Sequence, residues 1–433
     1  MKLNKSMLIE ILSDYNIWGN FRKTLKKRID YESKLSENLK SQTINVIQGI
    51  RRAGKSSISI KHIQDNNLGK NSLIINLEDP RLPSEINSNI LMDMFDAFRE
   101  YINPEPELVI IDEAQNASGW EKFARYLVES KNIKCIVTGS SAKLLSEEYA
   151  TAITGRHIDI TVFPLSFSEF LYFKNIKLSS KIDIINNKFK IINMLNEYIE
   201  YGGFPEIVIN NNKKIKRDLV KNYFDDIIIK DVAKRYKIRN ILQLEQIVRE
   251  LLANTGNTAS LRAISRSYNI NLRTVEKYFK YLTESYLFIA INKFSFSTRK
   301  QNTTLKKVYI IDTGMYTSNN FSFSFQNGNM LENIVAIELS RRHSSNNIFY
   351  WKDYQQHEVD FAIILGNKVN ELIQVTYSSS FKEVKKREID NLIKAGTELK
   401  CNKLKIITWD YEEIKLCDNH EINFIPVWKY FIT

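Results

Sequence analysis

Gly49-Ile50-Arg51-Arg52-Ala53-Gly54-Lys55-Ser56 has the spacing G-x-x-x-x-G-K-[ST], and its surroundings decide the fold. An apolar run, Ile44 to Ile47, precedes the octapeptide, and a helix-like stretch, Ser57 to Ile63, follows it. Strand, glycine loop and helix in that order make a phosphate-binding loop. The glycines let backbone N–H groups curl around phosphate oxygens, and the helix N-terminus adds its dipole to the same anion site. Lys55 is then expected to reach the β and γ phosphates of a nucleotide, and the Ser56 hydroxyl to meet Mg²⁺. Gly49, Ile50, Arg51, Arg52, Ala53, Gly54, Lys55, Ser56 and Ser57 form the expected cradle.

A second stretch agrees with the first. Leu108-Val109-Ile110-Ile111-Asp112-Glu113 has the form of a buried parallel strand that delivers two acids to its C-terminal edge. After a phosphate loop, Asp112 is expected to hold the Mg²⁺ shell and Glu113 to orient the attacking water, since phosphoryl transfer depends on a positioned nucleophile. Leu73 to Leu77, Ile133 to Val137 and Ile158 to Val162 read as further strands, so the segment is a doubly wound α/β domain. Thr138-Gly139-Ser140-Ser141 ends one of them. Ser140 fits either a γ-phosphate sensor or an ordinary serine N-cap.

The 433 residues suggest two or three domains with a core in each. A formal net charge of +12 favours a polyanionic partner such as nucleic acid, although lysine dominates and is spread along the chain. Cys135, Cys401 and Cys417 lack C-x-x-C spacing, which argues against a disulfide framework or a cysteine zinc site. No apolar run reaches membrane-spanning length, and the first residues lack the form of a secretory leader, so a cytoplasmic protein with no membrane partner is expected. The five histidines form no H-E-x-x-H, and no G-x-S-x-G elbow is present.

The phosphate loop, the I-I-D-E-A-Q run through Gln115, the T-G-S-S turn, Gly155-Arg156 and Phe163 to Phe170 resemble the prokaryotic AAA-type ATPase family. Tyr201-Gly202-Gly203-Phe204-Pro205-Glu206, Asp231 to Tyr236 and Val308 to Gly314 extend the resemblance over most of the chain. In that family a P-loop domain precedes a winged helix and a C-terminal restriction-endonuclease-like domain of the PD-(D/E)XK type. The resemblance implies ATP and Mg²⁺ as ligands, and offers Arg156 as an arginine that meets the γ phosphate, in cis or across a subunit contact of an oligomer. An ordinary surface arginine fits the same position. The expected fold class is α/β: an AAA-type P-loop domain at 1–175, a helical lid at 176–245, a winged helix at 246–300 and an endonuclease-like α/β domain at 301–433.

Leu261 to Tyr268, a turn at Asn269 to Asn271, and Leu272 to Leu282 carry a helix-turn-helix pattern. Val275, Phe279 and Leu282 recur at helical spacing, with Arg273, Lys277 and Lys280 elsewhere on the helix. Its second helix could enter the major groove of double-stranded DNA or serve as a structural module. In the last segment the resemblance places nuclease acids at Glu332, Glu358 and Asp360, with Gln374 and Thr376 where the family pattern has Glu and Lys. That substitution removes the positive charge near an attacked phosphate and predicts a weakened or dead nuclease, with Lys382 or Lys385 as possible replacements. The expected function is a Mg²⁺-dependent ATPase that uses hydrolysis as a conformational switch. An ATP-gated nuclease and a slow-turnover nucleotide-bound module with a protein partner stand as alternatives.

Overall fold

Apolar runs that alternate with helices in the first third of the chain fold as five parallel strands. They are β1 (Ile44–Gly49), β2 (Ser72–Asn76), β3 (Leu108–Asp112), β4 (Lys134–Gly139) and β5 (His157–Val162), hydrogen-bonded in the order β2-β3-β4-β1-β5. The computed structural model describes residues 4–140, 155–178, 180–297, 305–319 and 327–432. Ser141 of the T-G-S-S turn lies outside the described residues. The chain divides into two compact units, Met1–Phe163 and Pro164–Thr433.

In the first unit β1 is fully buried, as a parallel strand with both faces covered should be. Helices α1 (Lys55–Asp65) and α2 (Ser88–Tyr101) flank the sheet, and Phe95 and Phe98 of α2 pack with Val109, Ile111, Trp120 and Phe123 in its core. Register puts Ile47 of β1 opposite Thr138 of β4, and Ile111 of β3 opposite Val137 of β4. The C-terminal ends of β1, β3 and β4 therefore share one edge, where ligands bind in open parallel sheets.

The second unit opens with α3 (Phe167–Phe173), which the wording Ser166-Phe167-Ser168-Glu169 starts as a capping box. Ser166 Oγ accepts from Glu169 N at 3.2 Å, and Glu169 Oε2 accepts from Ser166 N at 2.9 Å. Helices α4 (Lys188–Tyr201), α5 (Lys213–Asp226) and α6 (Ile241–Ala253) follow, and then the short strand β6 (Thr258–Ala259). The predicted helix-turn-helix forms as α7 (Leu261–Ser267) and α8 (Leu272–Glu284), with Val275, Phe279 and Leu282 buried. Beyond it lie β7 (Phe288–Lys293), β8 (Lys306–Ile310), α9 (Asn327–Arg342), β9 (Ile348–Lys352), β10 (Glu358–Leu365), β11 (Lys368–Val375), α10 (Lys386–Leu399), β12 (Leu404–Thr408), β13 (Glu413–Cys417) and β14 (His420–Pro426).

These strands make one nine-stranded sheet in the order β13-β14-β12-β11-β10-β9-β7-β8-β6. Strand β8 pairs antiparallel with β7, and β7 pairs parallel with β9. Backbone pairing thus crosses residue 300, and the division between the two compact units falls at Phe163–Pro164, which leaves α3 in the second unit. Among the described residues no helix is long and apolar enough to cross a membrane.

The motifs Tyr201-Gly202-Gly203 and Asp312-Thr313-Gly314 meet inside this unit. The buried Asp312 carboxylate accepts from Gly203 N at 2.7 Å and from Gly314 N at 3.0 Å. Gly202 has φ +79°, and a Cβ there would stand 1.7 Å from Asp312 Oδ1, so the close approach requires glycine. Burial pushes the Asp312 carboxyl up to about 7 against the pull of these N–H donors.

Candidate active site

The phosphate loop leaves β1 at Gly49, whose φ is +142°, with room for no side chain: a Cβ would lie 2.1 Å from Val162 O. Arg52 and Gly54 also adopt positive φ, and Gly54 caps the N-terminus of α1. Successive turns of this kind make a concavity lined by N–H groups, suited to an anion. Lys55, almost fully buried, folds its ammonium over the loop and donates to Gly49 O at 3.1 Å and Ile50 O at 3.2 Å. The same nitrogen lies 3.9 Å from Glu113 Oε1. Arg51 pairs with Glu78 at 3.0 Å.

A residue that the sequence did not single out supports the loop from behind. Arg28 is buried and donates to Ala53 O at 2.8 Å and to Phe163 O at 2.9 Å, with its guanidinium 4.5 Å from the Tyr31 ring centroid. Nothing local distinguishes Arg28 from the lysines and arginine just before it, which are solvated.

The two acids of β3 take different positions. Ser56 Oγ donates to Asp112 Oδ1 at 2.7 Å, and the Thr138 hydroxyl donates to the same oxygen. Burial, reinforced by the neighbouring Glu113 charge, raises the Asp112 pKa, while the two hydroxyls oppose the shift. Glu113 sits at φ +56°, a conformation rare for a side-chain-bearing residue. Its N–H donates to Thr138 Oγ1 at 3.1 Å, and its carboxylate accepts from the Gln115 amide. Thr138 therefore holds both acids at once, and Gln115 holds the second. Ser140, fully buried, follows the end of β4 on the same sheet edge.

Arg156 is not brought to this edge. Its backbone carbonyl accepts from Ile44 N, and β5 then runs parallel to β1 from His157 opposite Ile44 to Val162 opposite Gly49. At about 3.3 Å per residue, Arg156 stands roughly 16 Å or more from the level of Gly49. The side chain is half exposed and pairs with Glu129 at 2.6 Å. A cis contact between Arg156 and a γ phosphate in this conformation is thus ruled out by strand register.

In the second unit Glu332 of α9, Glu358 and Asp360 of β10 and Gln374 of β11 do converge, and Lys307 of β8 stands in their midst. Lys307 Nζ lies 2.7 Å from Glu358 Oε1, 2.9 Å from Asp360 Oδ1 and 3.0 Å from Glu332 Oε1. Gln374 Nε2 donates to Asp360 Oδ2 at 2.7 Å, and Tyr309 donates to Glu332 Oε1 at 2.6 Å. Burial, followed by the Asp360 charge, pushes Glu332 up to about 7. Burial opposes the Lys307 charge, but the surrounding carboxylates overcome it and hold its pKa well above the ordinary lysine value. Lys382 and Lys385, the lysines considered from sequence, are exposed outside this group.

A strand-loop-helix anion site with a serine and two acids on one parallel-sheet edge defines a P-loop nucleotide-binding fold. The AAA domain model matches residues 41–171. Two models described as domains of unknown function, DUF8612 and DUF4143, match residues 192–322 and 327–430. The chain is 36% identical to uncharacterized protein MJ1544 of Methanocaldococcus jannaschii, covering 98% of this chain and 96% of that protein. It is 29% identical to an uncharacterized protein of Haemophilus influenzae, covering 94% and 99% respectively. Among solved structures it is similar to the Walker-type ATPase PABY2304 of Pyrococcus abyssi, at 16% identity and a TM-score of 0.46, covering 70% of this chain and 99% of that one. The chain belongs to the same family as the M. jannaschii protein, and residues 41–171 form an AAA domain.

Proposed function

We propose that this protein is a Mg²⁺-dependent ATPase that works in the cytoplasm as a conformational switch on or near double-stranded DNA. The carrying observation is the contact set Ser56–Asp112–Thr138–Glu113 at the mouth of the phosphate loop. Residues Gly49 to Ser57 would cradle the triphosphate, with the Lys55 ammonium leaving its loop carbonyls for the β and γ oxygens. Ser56 and Asp112 offer two adjacent hard oxygens, a donor set suited to Mg²⁺, which would neutralise phosphate charge. Glu113, held by Thr138 and Gln115, would accept a hydrogen bond from the attacking water and set its line of approach. Ser140, just past the end of β4, would respond to the γ phosphate. Arg156 retains only a role in trans, against the nucleotide of a second chain in an oligomer.

Hydrolysis would order and release contacts made by the phosphate loop, and the second unit would carry that change to a partner. For DNA as that partner, support comes from α7 and α8 with strands β7 and β8, the elements of a winged helix. Arg273, Lys277 and Lys280 are exposed at i, i+4 and i+7 on α8, a basic stripe suited to phosphate contacts. The ATP-gated nuclease reading is disfavoured by Gln374, Thr376 and the Lys307 ammonium among the acids.

The test is steady-state ATP hydrolysis with and without double-stranded DNA, for the native chain and an Arg273→Ala/Lys277→Ala/Lys280→Ala variant. Acceleration by DNA that the triple variant loses supports the reading. Turnover indifferent to DNA redirects the search to a protein partner.

A further inference from the structure

Three acids from two elements, α9 and β10, point at one position in the second unit, and a lysine nitrogen fills it. In an endonuclease-like centre such acids would ligate a divalent metal, and the contacts of this chain test that fit directly. Every carboxylate of the group already has protein donors. Asp360 Oδ1 takes Lys307, while Asp360 Oδ2 takes Gln374 Nε2 at 2.7 Å and Val375 N at 3.0 Å. Glu358 Oε1 takes Lys307 and Glu358 Oε2 takes Lys352 at 2.9 Å. Glu332 Oε1 takes both Lys307 and Tyr309.

The Lys307 side chain is 2% exposed, so its ammonium has no solvent position to retreat to without moving β8. A divalent cation would need oxygens at about 2.0–2.6 Å around the point that the nitrogen occupies. It would also be repelled by the fixed positive charge there. Gln374 adds to the misfit, because its amide N–H₂ faces Asp360 where a metal-binding glutamate would present an anion.

We infer that Lys307 replaces the divalent metal of this centre, as a built-in cation that holds Glu332, Glu358 and Asp360 together and ties β8 to α9 and β10. This rests on the endonuclease-like reading of the last segment for its comparison, but not for its contacts. It is independent of the ATPase reading, which concerns the first unit. Three consequences follow from an internal cation. The centre needs no metal to fold, it cannot activate water for phosphodiester cleavage, and it ties β8, the second strand after the helix-turn-helix, to α9 and β10. The lysine that β11 lacks at Thr376 thus has a counterpart in Lys307 on β8, in a different role.

The experiment measures Mn²⁺ binding to the full-length, nucleotide-free chain by electron paramagnetic resonance, beside thermal melting. The native chain and Asp360→Asn should bind Mn²⁺ identically, with no Asp360-dependent site, and melting of the native chain should be indifferent to Mn²⁺ or chelator. Lys307→Ala should melt lower and should gain one Mn²⁺ per chain that raises its melting point, a gain removed in Lys307→Ala/Asp360→Asn. An Asp360-dependent Mn²⁺ site in the native chain overturns the inference, as does a Lys307→Ala protein that melts like the native chain and takes up no metal. Should Lys307→Ala fail to fold, the native chain against Asp360→Asn still decides. Any Mn²⁺ held by the phosphate loop is separated by its dependence on Asp112, tested with Asp112→Asn, so failure here and failure of the ATPase reading give different results.

Discussion

Thr138 holds the two acids of the candidate site by one hydroxyl: it donates to Asp112 Oδ1 and accepts the Glu113 N–H at 3.1 Å. The carboxylate assigned to the Mg²⁺ shell and the one assigned to water therefore share a single anchor on the neighbouring strand. Thr138→Val keeps the shape and removes both bonds. It should leave ATP binding nearly intact and lower turnover roughly 10- to 100-fold, the usual scale for a residue that orients a ligand from behind. Thr138→Ser should recover most of that loss. Parallel measurement of nucleotide affinity and kcat checks this, and a variant with native kcat removes Thr138 from the account.

Arg28 supports the loop rather than the chemistry. Arg28→Met loses the charge-assisted bonds to Ala53 O and Phe163 O, each worth about 1.5–3 kcal/mol. ATP affinity and thermal stability should both fall, with kcat at saturating ATP changed much less. A variant whose kcat collapses at unchanged affinity contradicts the assignment.

Arg156 lies at the far edge of the sheet, paired with Glu129. Arg156→Ala should therefore leave the turnover of dilute monomer within about 2-fold of native, since exposed ion pairs of this kind contribute little. A concentration-dependent activity that Arg156→Ala alone abolishes would establish the role in trans. A lost monomer activity would contradict the register argument.

Asp312 supplies a pH dependence. With its pKa at about 7 in the folded chain, above the ordinary aspartate value of about 4, the native state keeps a proton that the unfolded state has released between those values. Stability from this group thus falls as pH rises from about 4 to 7, by at most about 4 kcal/mol, and is level above. Asp312→Asn removes the slope, although one of the Gly203 and Gly314 N–H groups then loses its carboxylate acceptor. Melting points at pH 4.5 and 7.5 should show the variant gaining on the native chain at the higher pH. An equal gap at both values rules the effect out.

The first unit was legible because its signals are local: G-x-x-x-x-G-K-S, the apolar run into Asp112-Glu113, and apolar strands whose period survives in one dimension. The helix pair Leu261–Ser267 and Leu272–Glu284 was legible for the same reason, its buried face recurring at helical spacing. What escaped is what depends on partners far away in sequence. Arg28 reads as one more residue of a basic stretch until Phe163 closes over it, 135 positions on. Lys307 carries no motif, and only the pairing of β8 beside β7 brings it to Asp360. The anchoring role of Thr138 carries no local signal, because the acids it holds lie 25 and 26 positions earlier in the chain. The position of Arg156 was not legible, because a Gly-Arg pair says nothing about which end of a strand it occupies.

The most direct measurement is single-turnover and steady-state hydrolysis of ATP by Glu113→Gln beside the native chain, with nucleotide affinity determined for both. The account predicts that Glu113→Gln binds ATP and Mg²⁺ at least as well as the native chain and loses turnover by two orders of magnitude or more, on the order expected for removal of a water-positioning carboxylate. Native turnover in Glu113→Gln, or loss of ATP binding with it, would contradict the account at its centre.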